Sequence, residues 1–102
     1  MNDKILSLLG LCRRAGKMTI GNDAVIDMVI NKKSKLVIMA EDLSKNTAKG
    51  VLSACHQNNV TALAIKRDKE QLSYAVGKFC AVISINDDGF ANKLKMLIAD
   101  EN

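Results

Sequence analysis

Proline is absent from all 102 residues, and only 3% are aromatic. With no proline and no low-complexity tract, nothing in the chain reads as a linker. Residues 1–102 are therefore expected to fold as a single domain, near the commonest domain size. Few rings against 48% hydrophobic residues predict an aliphatic core. No run approaches the roughly 18–20 apolar residues that cross a bilayer. The opening ILSLLGLC superficially resembles a secretory leader, but the arginines follow the apolar run and no small-residue cleavage site appears. A cytoplasmic protein with no membrane partner is expected.

Cysteine is sparse, odd in number and scattered, at Cys12, Cys55 and Cys80. That pattern suits neither a disulfide framework nor a paired-cysteine metal site. Cys55-His56 is the only close Cys/His pair, and adjacent residues on a helix point about 100° apart. Structural thiols are expected, not ligands or a nucleophile with its base. Other enzyme signatures are missing. Gly10, Gly16 and Gly21 stand too far apart for a dinucleotide turn, and neither a phosphate-binding glycine loop nor a nucleophile elbow occurs. The carboxylate pairs Glu41-Asp42 and Asp87-Asp88 each lie where a helix is expected to begin, and acids there favour the helix dipole. The expectation is a protein without catalysis, metal or cofactor.

What the chain does have is charge in one place. Residues 1–36 hold 7 Lys/Arg against 3 Asp/Glu, and the other 66 residues hold 8 against 8. Arg13, Arg14 and Lys17 form one basic cluster; Lys32, Lys33 and Lys35 form another. Together they read as one positive face around a helix tip, suited to steering and holding phosphates. Tyr74, Phe79 and Phe90 all lie outside that third, which argues against a base-stacking platform for single strands. A folded RNA read by shape remains, with a helix N-terminus offering backbone N–H groups.

Helical spacing of Ile5, Leu8, Leu9 and Cys12 predicts an amphipathic helix over residues 3–14. Lys17 to Ile20 reads as a short extended piece, and Gly21 or Asn22 caps a helix to about Asn31. Leu36 to Ala40 is a continuous apolar run, expected for a strand covered on both faces. A helix from Ser44 to about Gln57, a strand from Val60 to Ile65, a helix from Lys69 to Val76, a strand from Cys80 to Ile85 and a closing helix to about Ala99 complete the pattern. Alternation of this kind predicts an α/β fold, a three-layer αβα sandwich around a four-stranded mixed sheet.

The segments GLCRRAGKMTIGNDAV, KSKLVIMAEDLS and LSYAVGKF resemble bacterial YlxQ-type proteins of the kink-turn-binding ribosomal protein superfamily. The likeness covers nearly the whole chain, and its most specific parts are Arg13 to Lys17 and Lys35 to Asp42. It implies the same αβα sandwich, gripping a sharply bent RNA internal loop through the glycine-led helix start and the loop before the last strand. RNA-binding relatives carry Gly-x-Asn-Glu-x-x-Lys there. Aligned without gaps, this chain has Gly21, Asp23, Ala24 and Asp27 at those positions; a one-residue gap places Asn22-Asp23 on Asn-Glu and Ile26 on the lysine. Under either alignment the cation is missing. The resemblance implies Gly21, Asn22 and Asp23 at base edges and Arg13, Arg14, Lys17, Lys32, Lys33 and Lys78 near the backbone, with Asp27 on the same stripe. A structured RNA, ribosomal or regulatory, is the implied partner. The alternatives are a protein-interaction module of the translation machinery, which the stripe Asp23, Asp27 and Asn31 also suits, and a thiol activity at Cys55-His56.

Overall fold

The computed structural model describes residues 3–101. In chain order it runs α1 (Lys4–Arg14), β1 (Met18–Ile20), α2 (Asn22–Ile30), β2 (Leu36–Met39), α3 (Lys45–Gln57), β3 (Ala62–Ala64), α4 (Lys69–Val76), β4 (Val82–Ile85) and α5 (Asp88–Asp100). Four helices start on a side-chain cap. Asp3, Ser44, Asp68 and Asp87 accept the N–H groups of Leu6, Thr47, Gln71 and Phe90. Each such cap stabilises its helix by about 1 kcal/mol. The carboxylate of Asp42, expected to support the start of α3, instead accepts the N–H of Lys69 at 2.9 Å and so supports α4.

The sheet order is β1-β4-β2-β3. β2 and β3 run parallel, whereas β4 pairs antiparallel with both β1 and β2, so the sheet is mixed as expected. Both central strands are buried along their length because both faces are covered, and all but one of their residues are apolar. Leu36, Ile38, Ile83 and Ile85 face Ile5, Leu9, Leu72 and Leu94 from α1, α4 and α5. Val37, Met39 and Val82 face Val25, Val29, Val51 and Cys55 from α2 and α3. The three-layer sandwich follows from that alternation.

Ser84 is the exception in the centre of the sheet, fully buried between its partners Thr19 and Val37. Its Oγ lies 2.7 Å from Ser34 Oγ and 2.7 Å from Asn86 Oδ1. Having one proton, it donates to the amide oxygen and accepts from Ser34. Asn86 in turn donates to Thr19 Oγ1 at 2.9 Å. This satisfied chain ties β1, β4 and the turn after α2 together at one end of the sheet.

Candidate nucleic-acid interface

Gly21 turns the chain from β1 into α2 in a single residue. Its N–H bonds to the carbonyl of Val82 at 3.1 Å, and its own carbonyl accepts from Val25. Its backbone, at φ 107 and ψ 148, lies in a region open to glycine almost alone. Unlike the four capped helices, α2 has no side-chain cap bond, so its leading N–H groups meet solvent beside the exposed Asn22, Asp23 and Ala24. Asp27 is exposed one turn further on. The Asn31 amide donates to the carbonyl of Asp27 at 2.9 Å, which makes it a helix end-cap.

The connection from α4 to β4 arrives at the same edge of the sheet, because Val82 pairs with Gly21. It is held firmly. Gly77 closes α4 in the left-handed conformation, and the N–H groups of Gly77 and Lys78 both bond to Ser73 O. The Ser73 hydroxyl accepts the Cys80 N–H at 2.9 Å and sits 3.2 Å from the Cys80 carbonyl. Arg13 donates to the Val76 carbonyl at 2.9 Å, so its half-buried guanidinium braces this loop. Burial pushes the Cys80 thiol up, opposed by its bond to Ser73 and the nearby charges of Arg13 and Lys78. The braced loop carries Lys78 and Phe79 into solvent, Phe79 with 79% of its surface exposed. Charge patterning placed this ring outside the basic third of the sequence; β4 pairing brings it to the edge where α2 begins.

The remaining cations sit elsewhere. The Lys17 carbonyl accepts the Asn86 N–H at 2.9 Å, and the Lys35 N–H bonds to Ile85 O at 2.8 Å. These two lysines flank the far end of β4, about 10 Å apart across two strand spacings. Lys32 and Lys33 follow the C-terminus of α2 at the same end, both exposed. Lys32 takes the left-handed conformation, with φ 60. Gly21 is four residue steps along the strand from Lys17, about 13 Å. The single positive face expected around the tip is therefore two groups. Lys78 and the guanidinium of Arg13 lie with the α4–β4 loop, while Lys17, Lys32, Lys33 and Lys35 gather at the far end of β4; the Arg13 backbone, one tight turn from Lys17, stands between the two. Arg14 lines a groove between α1 and α4 beside Tyr74. The reason is geometric: β1 climbs to the tip and α2 descends by the same length.

All three thiols are free and buried. Burial, aided by Asp87, pushes Cys12 up to about 11, and burial also raises Cys55. His56 is exposed while Cys55 faces the core, so the two do not form a nucleophile–base pair. Among the described residues no cluster of three metal-ligating side chains occurs, and no helix is long and apolar enough to cross a membrane.

Residues 3–95 match the profile of the Ribosomal protein L7Ae/L30e/S12e/Gadd45 family. The chain is 40% identical over 92 residues to the RNA-binding protein YlxQ of Bacillus subtilis (strain 168), covering 89% of this chain and 91% of that one. It is 37% identical over 95 residues to the RNA-binding protein YlxQ of Enterococcus faecium, covering 93% and 91%. A solved protein of unknown function from Bacillus halodurans superposes with a TM-score of 0.91 at 34% identity, over 96% of this chain and 99% of that one. The 15.5kD RNA binding protein of Giardia lamblia shares the fold, with a TM-score of 0.74 at 23% identity over 98% and 89%. With its αβα sandwich and a match along nearly all of its length, the chain belongs to the ribosomal protein L7Ae/L30e/S12e/Gadd45 family.

Proposed function

We propose that this chain is a non-catalytic RNA-binding protein that grips a bent, kink-turn-like internal loop, working in the cytoplasm with the ribosome or another translation assembly. The observation that carries the reading is the uncapped, glycine-led tip of α2 set against the braced loop bearing Lys78 and Phe79. The relatives named RNA-binding protein at 37% and 40% identity support the ligand class. A bend opens the groove that an intact A-form helix closes to side chains. Asn22 and Asp23 then meet base edges, the Asp23 carboxylate accepting guanine N–H groups, and the Phe79 ring offers a face to one unstacked base. Lys78 holds the backbone at the bend. Lys17, Lys32 and Lys33, about 13 Å away along the sheet, hold a flanking stem. Arg14 serves a strand leaving over α4.

Asp27 works against this grip, repelling a phosphate at 4 Å by about 1 kcal/mol in water. Asp27→Lys is accordingly expected to tighten binding. The exposed acids Asp23 and Asp27 favour a second reading, in which a basic protein docks on α2; a complex that survives nuclease treatment would select it. The deciding experiment titrates a kink-turn RNA and a linear duplex across salt. Neutralising three to five phosphates predicts a log–log slope of roughly −2 to −4. Equal affinity for the two RNAs would remove shape recognition.

A further inference from the structure

On the helix layer that faces away from α2, α1 and α5 leave an open groove of about 420 Å³ between them. Leu8, Leu11 and Leu97 line it together with Lys4, Ser7 and Lys93. Leu11 is 49% exposed, and with the half-buried Leu8 and Leu97 it makes a contiguous apolar patch. No carboxylate lines the groove, and neither lysine makes an ion pair among the described residues, where both ion pairs belong to Arg67. Lys4 comes from α1 and Lys93 from α5, so each helix brings one cation to an otherwise apolar groove; the flanking acids, Asp100 beyond Lys4 and Asp87 beyond Lys93, line neighbouring depressions instead.

We infer that this groove docks an acidic amphipathic helix of a partner protein, with leucine-like side chains against Leu8, Leu11 and Leu97 and glutamates or aspartates against Lys4 and Lys93. Lys4 to Leu11 spans about 10 Å, two helical turns, which admits two apolar anchors at i and i+3 or i+4. Charge complementarity selects among occupants. A second copy of this chain in a two-fold arrangement would set lysines against lysines. An RNA backbone would satisfy the lysines and leave the leucines wet. The groove lies across the sheet from the α2 tip, so both partners can be held at once, and the inference does not depend on the RNA reading.

The test uses the full chain, isotope-labelled, and a designed helical peptide of about 14 residues with leucines on one face and glutamates on both flanks. Saturable NMR shifts confined to Lys4, Ser7, Leu8, Leu11, Lys93 and Leu97 are expected. The double variant Lys4→Glu/Lys93→Glu should weaken binding by about tenfold or more while RNA affinity stays unchanged. A version of the peptide with lysines in place of glutamates should not bind. Absent or dispersed shifts, or equal binding by both peptides, would overturn the inference. So would loss of RNA affinity in the double variant, which points to nucleic acid. Shifts that grow with protein concentration alone point to self-association, and overturn it too.

Discussion

Lys32 gives a test in which backbone and charge can be separated. It follows the Asn31 end-cap of α2, its N–H bonding to Val29 O and the next N–H to Met28 O, and its φ of 60 places it in the left-handed region. There a side chain with Cβ costs about 1–2 kcal/mol. Glycine removes that cost but widens the unfolded ensemble, a loss of about 0.4–1 kcal/mol. Either Lys32→Gly or Lys32→Ala removes a cation from the negative end of the helix dipole, so that penalty cancels between them. Lys32→Gly should exceed Lys32→Ala by about 0.5–1 kcal/mol, a Tm difference of about 2–8 °C for a domain of this size. Calorimetry of the two variants measures it. Under the proposed function, both should lower the salt slope of RNA binding by about 0.7–0.9, one phosphate contact. Equal melting temperatures would refute the backbone argument, and unchanged slopes would remove Lys32 from the RNA surface.

Two more perturbations read other parts of the molecule. Gly21→Ala adds a Cβ with nothing within 4 Å, so its penalty comes from φ alone; about 1–3 kcal/mol is expected. Its RNA affinity should fall with the twist of the α2 tip, and wild-type values by melting and titration would contradict the strain. Arg67 bonds to Asp3 and to Glu101, each at 2.6 Å. Those hydrogen bonds hold both carboxyls below their ordinary range. Depressed carboxylates stabilise above the unfolded values, and that stability is lost as pH falls through the folded ones. Unfolding free energy measured against pH should therefore drop below about pH 4.5 in the native chain. Arg67→Gln should flatten that drop; an unchanged slope would dissociate acid sensitivity from this clamp.

Local pattern carried the elements well. The apolar run from Leu36 announces a strand covered on both faces, and Ser44 and Asp87 announce helix starts as caps. Pairing between distant strands was less legible. β4 inserts between β1 and β2, and nothing in residues 82–85 alone says so. The site depends on that insertion, since it sets Val82 beside Gly21 and so brings the α4–β4 loop to that end of the sheet. Arg13 looked like a free cation, and its carbonyl partner Val76 lies 63 residues away. The division of the basic residues was within reach. A strand of three residues and a helix of nine cover nearly the same distance in opposite senses, so Lys17 and Lys32 must return to one end.

Both outer strands, β1 and β3, are only three residues long, while the longer β2 and β4 are enclosed between them. An invading chain that tried to extend the sheet sideways would find a border too brief to template more than one or two rungs. The rich store of branched aliphatics is thus kept away from fibril growth, and recognition is left to helix ends, loops and grooves.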